Sequence, residues 1–260
     1  MPLCSVSLDD LTLEDESSYS HVALYATLKR ALRRSGHRFL VPQGNEVASW
    51  DRTVFLNLTY WNADKGADIL CDRHLAADVV AHVAWHSVVA SSLEKLVGKT
   101  GVKTPAGLFF AESIASAFDL YLVGRLFRNA PDSDFITTQI PIMAEAAEQA
   151  GLEREDFSAL IEQVVDDPER AFEDLRTLLF DVTMALYVCP DAESAQRTLE
   201  QFDEHRFSSL LHHFQLSVWV LYARAYGVTD DAAQTAISSL HQTLRSEPDS
   251  LDWLLRSWLS

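Results

Sequence analysis

The sequence predicts a mainly α protein of α+β type, a small N-terminal sheet followed by helices to the end of the chain. Three observations carry this expectation. Every long segment beyond Cys71 has apolar residues at helical spacing. Residues 53–61 instead alternate at period two, Val54, Leu56, Leu58 and Tyr60 against Thr53, Asn57 and Thr59. Nine Gly and eight Pro in 260 residues leave little material for a long linker, so one continuous body is expected. With 48% hydrophobic and 23% charged residues, the chain can bury a core without disulfide staples.

In chain order, an acidic leader gives way at residues 17–20 to a helix over 21–34, which Ser35-Gly36 ends. Strands follow at 38–41 and 53–61; Phe55 interrupts the polar face of the second, so that face is expected to be partly covered. Asn62-Ala63-Asp64-Lys65-Gly66 is a turn cluster. Beyond Cys71 no further strand is expected. Helices are predicted at 73–97, 106–128, 141–150, 155–165, 168–188, 192–203, 206–226, 230–245 and 250–259. Asp167-Pro168 sets a cap followed by proline in the first turn, and Gly98, Gly151 and Gly227 are placed to end helices. Residues 1–130 then form an α+β subdomain, and residues 131–260 an acidic all-α subdomain packed on it.

The formal charge of −17 is uneven: residues 131–260 hold 24 acids against eight Arg and no Lys. Such a surface repels phosphate backbones and anionic headgroups, so nucleic acid and membrane are not expected as partners. A peptide, an amine-bearing small molecule or a protein partner is expected instead, with the acidic half forming one wall of any cleft. The start, MPLCSVSLDDLTLEDESS, lacks a basic region followed by an apolar one, and no stretch gives 18 clean apolar residues. Cys4, Cys71 and Cys189 are widely spaced and odd in number, which suits reduced thiols and a cytoplasmic location. No GxGxxG, P-loop, GxSxG or CxxC motif occurs.

The segment that carries chemistry is Ala77 to Val89. From Leu75 to Leu93 the only formal charge is Asp78, so the helix is buried around much of its circumference, yet it contains His82 and His86. Four residues apart, these imidazoles share one helical face at the separation two ligands need around one metal ion. The next helix is as apolar: between Pro105 and Gly124 only Glu112 and Asp119 are charged, and seven residues are about two turns, so both share a face. Buried carboxylates are costly without a cation or histidine partner. Glu112 is read as the third ligand, with Asp119 behind it. Asp78 either orients His82 or caps the helix start, and His74, drifting off the ligand face, is expected to be exposed. The alternative is a relic site in which these groups merely hydrogen-bond one another.

Asp78-Val79-Val80-Ala81-His82, then His86-Ser87-Val88-Val89, then Ala111-Glu112-Ser113-Ile114-Ala115-Ser116-Ala117-Phe118-Asp119 resembles the gluzincin metallopeptidases, most of all the thermolysin branch. The resemblance covers roughly residues 50–125. It implies a zincin-like helix pair with zinc on His82, His86 and Glu112, and makes strand 53–61 the sheet edge before the active-site helix. It also implies a histidine from the C-terminal helices that steadies the transition state; His205, His212 and His213 are the candidates, and spacing does not select among them. Trp219, Tyr222 and Tyr226, at helical spacing, are read as core.

Two departures matter. Where the family's H-E-x-x-H motif has its general base, this chain has Val83, which cannot accept a proton. The family's aspartate four residues after the third ligand is Ser116 here, so Asp119 becomes the candidate to orient an imidazole. Trp85 is expected to add bulk beside the site. The expected function is a metal protein without the standard base, either a zinc enzyme of altered chemistry or a pseudopeptidase that binds a peptide or partner. A non-haem iron enzyme would use the same two histidines and carboxylate, and a non-catalytic helical interaction protein would keep only the relic.

Overall fold

The structure is a computed structural model that describes residues 3–43 and 68–259. The predicted strand at 53–61 and the turn at 62–66 lie outside the described residues. The rest is mainly helical with a small N-terminal sheet, as the periodicities predict. Strand β1 (Leu3–Val6) pairs antiparallel with β3 (Phe39–Pro42), and β3 pairs parallel with β4 (Asp68–Ile69). Strand β2 (Thr12–Glu14) pairs parallel with β5 (His74–Ala76). The acidic leader is therefore built into both sheets, and β5 corrects the expectation of no strand beyond Cys71. A three-residue strand is too short to display a period, and its partner lies some sixty positions away.

Helix α1 (Ala23–Ser35) ends at Gly36, whose positive φ of 69° is the left-handed stop expected there. Helix α2 (Ala77–Val102) carries the two histidines and bends at Gly98, whose φ of 72° and ψ of 172° interrupt the helical backbone. Helix α3 (Pro105–Leu126) begins on Thr104, whose hydroxyl accepts from the Gly107 N–H at 3.2 Å, with Pro105 in the first turn. It is the central element, packed on α2 and on α6 (Pro168–Tyr187). By length and composition α3 would cross a membrane, but 78% of its most apolar window is inside the protein. A Cβ on Gly124 would lie 2.7 Å from the Val164 carbonyl oxygen, so this glycine lets α3 press against the neighbouring helix pair.

Helix α4 (Asp134–Gln149) starts earlier than predicted, on a Ser133 cap, and runs through Pro141. The Ser133 side chain accepts from the Ile136 N–H at 3.3 Å and so starts the helix ahead of the predicted 141. Helices α5 (Arg154–Asp166), α6 and α7 (Ala192–Glu200) follow, the second on its predicted Asp167 cap. The single helix expected over 206–226 is two pieces: a 3-10 segment, Ser208–Phe214, and α8 (Leu216–Tyr226), separated by Gln215 at φ 50° and ψ 42°. Helices α9 (Asp231–Ser246) and α10 (Ser250–Leu254) complete the chain, the last running into a wide turn over Leu255–Leu259. One hydrophobic core runs from Val6 to Leu259 through both halves of the chain.

Candidate metal centre

Helices α2 and α3 lie against each other, and their contact places His82 and His86 beside Glu112. One ligand atom from each residue lies within 4.8 Å of the other two. The His82 and His86 Nε2 atoms are 3.1 Å apart, and His86 Nε2 is 3.7 Å from Glu112 Oε2. Two nitrogens bound to one ion at about 2.0–2.1 Å in tetrahedral geometry lie about 3.3 Å from each other, so this spacing fits two ligands of one small cation. All three side chains are part-buried, at 15%, 27% and 23% exposure, which shields the group while leaving an approach.

The orienting partner is Asp119, whose Oδ2 lies 2.9 Å from His82 Nδ1. The imidazole donates from Nδ1 to this carboxylate, which leaves Nε2 on the side of His86 and Glu112, available as a ligand once its proton is lost. Burial pushes the His82 imidazole down, but Asp119, Glu112 and Asp78 together outweigh it and raise it to about 9. His86 goes the other way, held below the ordinary histidine value chiefly by burial, with Glu112 offsetting part of it. Asp78 lies in the first turn of α2 and leaves the orientation of His82 to Asp119. Burial, then Asp119, raises its carboxyl to about 6.

The group faces a cavity of about 540 Å³. Val83 and Ser116 stand in its wall, so the residue after His82 presents an apolar side chain to the cavity. His213 lines the same space, its imidazole held down by burial and its buried Nδ1 without a hydrogen-bond partner among the described residues. Of the three C-terminal histidines it alone reaches this cavity. His212 lines a separate cleft, and His205 Nδ1 accepts from the Phe207 backbone N–H at 3.1 Å. The break at Gln215 accounts for the selection: it turns the 3-10 segment off the axis of α8 and aims His213 inward.

Other expectations need correcting. Trp219 packs against the core and also lines the cavity, Tyr222 is wall of the cavity, and Tyr226 is 58% exposed, because only one narrow stripe of α8 packs inward. Trp85 points into the core against Phe118, at a ring separation of 5.6 Å, and does not crowd the site. His74 is exposed as expected, but it lies on β5 ahead of α2, so its exposure comes from the strand and not from drift off a helical face. The acidic half does supply one wall, but His213, Phe214, Gln215, Val218, Trp219 and Tyr222 bring no carboxylate to it. The carboxylates among the described lining residues are Asp68, Glu112 and Asp119, all from the first half, and neither Lys nor Arg accompanies them.

Compared with protein-family models, curated proteins and solved structures, the chain matches none. The site must be read from its own chemistry. It brings two imidazoles and a carboxylate close enough to hold a metal ion, with a second carboxylate fixing one imidazole. Sequence reasoning missed His37 and Asp68, which also line the cavity; they are 31 positions apart and meet only through the pairing of β3 with β4.

Proposed function

We propose that this chain is a gluzincin-like metal protein in which His82, His86 and Glu112 hold zinc and the adjoining cavity takes a peptide or another amine-bearing ligand. The observation that carries the reading is the convergence of the three ligand atoms within 4.8 Å, with Asp119 on the far nitrogen of His82. A carboxylate behind a ligating histidine is the common arrangement in metal sites, those of zinc among them. When bound, zinc supplies Lewis acidity that polarises a carbonyl oxygen. The chain's own groups do the rest. Asp119 holds the His82 tautomer. His213, neutral through burial, is suited to donate a hydrogen bond to a developing oxyanion. Trp219 and Tyr222 exclude water and offer aromatic rings to a cation, while Asp68, Glu112 and Asp119 favour an amine over an anion.

Elemental analysis of protein purified without a metal-affinity tag tests the reading. About one equivalent of zinc per chain is expected, with loss of it in His86→Ala. Iron at that stoichiometry would move the site to the two-histidine-one-carboxylate oxygenases, and no metal bound even on titration would leave a helical interaction protein with a relic site.

A further inference from the structure

Val83 deletes the family's proton acceptor, and the same cavity contains a histidine–carboxylate pair that the metal reading does not use. His37 Nε2 lies 2.8 Å from Asp68 Oδ2, and both side chains are part-buried, at 18% and 25% exposure. Their placement is set by the sheet. Asp68 is in direct register with Phe39 across the parallel β3–β4 pair, and the His37 ring stands edge-on to Phe39 at 4.9 Å. Both residues line the cavity onto which the candidate ligands open. The titratable groups that share this space are His82 and His86 on α2, Glu112 and Asp119 on α3, and His213 and Tyr222.

We propose, resting on the metal reading above, that the His37–Asp68 pair is the proton acceptor of this site in place of the missing glutamate. His82, His86 and Glu112 are committed as ligands and Asp119 is committed to His82. Asp119 acts on His213 at a distance but is already committed to His82, and among the described residues His213 has no hydrogen-bonded carboxylate. His37 has one. With Nε2–H donated to Asp68, its Nδ1 carries the free lone pair, and Asp68 stabilises the imidazolium that forms. In hydrolysis, the O–H bond of a water in the cavity breaks, its proton goes to His37 Nδ1, and its oxygen bonds to the substrate's carbonyl carbon. The imidazolium returns that proton to the leaving amine as the C–N bond breaks. One water is consumed and the pair ends as it began.

The test uses the full chain loaded with zinc, and acetohydroxamate, a chelating acid that gives up a proton as it binds. Titration calorimetry in two buffers of different ionisation enthalpy reads affinity and proton release together. In the parent protein the proton is expected to stay on His37, with little released to buffer. His37→Gln and Asp68→Asn should each weaken acetohydroxamate by about tenfold and release about one proton, with zinc affinity and melting temperature unchanged. The same affinity and proton count in parent and variants would overturn the proposal, as would zinc-loaded parent that does not bind the probe. A large loss of zinc affinity in His37→Gln would make it a ligand and overturn it equally. Parent protein that binds no zinc would instead overturn the metal reading beneath it. If His37→Gln does not fold, Asp68→Asn and nitrogen NMR of the parent's His37 decide: an Nδ1 that stays unprotonated on binding refutes the role.

Discussion

Asp119 decides which nitrogen of His82 is left for a ligand. Asp119→Asn can still hydrogen-bond but no longer offers a charge, and metal affinity is expected to fall by about 10–100-fold, measured by competition with a chromophoric chelator. His82 also sets a pH dependence whose sign is fixed. Its imidazole is raised to about 9 in the metal-free protein, so it is protonated at neutral pH and must lose that proton to bind. Metal affinity is therefore expected to rise with pH up to about 9 and to level off above it. The proton released per metal ion, read by calorimetry in two buffers, should fall from about one at pH 7.5 towards zero above that point. The residue types in this cluster were legible in the sequence because two histidines and two carboxylates stand out in otherwise apolar helices. His37 and Asp68 were not, since neither sits in an apolar run that would make it conspicuous.

At the scale of elements, most helices were legible from periodicity and caps. Gly98 was legible as a helix stop, and α2 does leave the helical region there, at a conformation open to glycine with no neighbouring atom within 4 Å of a built Cβ. Gly98→Ala should therefore lower stability by about 1–3 kcal/mol through backbone strain alone, checked by urea denaturation with an unchanged m-value. Gln215 makes the second such break. A glutamine gives no sequence signal for the left-handed region, so nothing in residues 206–226 disclosed that His213 would turn away from α8. The short strands were hidden for a different reason: β2, β4 and β5 are two or three residues long and exist through their partners.

Across the whole molecule, a buried polar network holds the second half together. Arg176, with 0% exposure, donates to Glu173 one turn before it and meets His241 Nδ1 of α9 at 3.0 Å, while the Ser250 hydroxyl of α10 donates to Glu173. Three helices are tied by groups that cannot reach water. Arg176→Ala would strand the Glu173 carboxylate in the core, and a loss of about 3–5 kcal/mol is expected, measured by chemical denaturation. Arg176→Met together with Glu173→Leu should recover much of that loss, because both charges then leave together. Removing this network does not touch the metal cavity, so zinc stoichiometry in the folded double variant should match the parent.

By itself the sequence determined the mainly helical class, the order of most helices and the identity of His82, His86, Glu112 and Asp119 as a group. Those properties follow from local periodicity and from the cost of burying polar side chains, both written along one or two helices. Only the tertiary structure decided the rest. It chose His213 among three histidines, sent Trp85 inward, made the acidic half's wall of the cavity aromatic and uncharged, and brought His37 to Asp68. Each of these depends on how distant segments cross or on a single backbone angle, and pairwise proximity between remote residues leaves no trace in the spacing of either one.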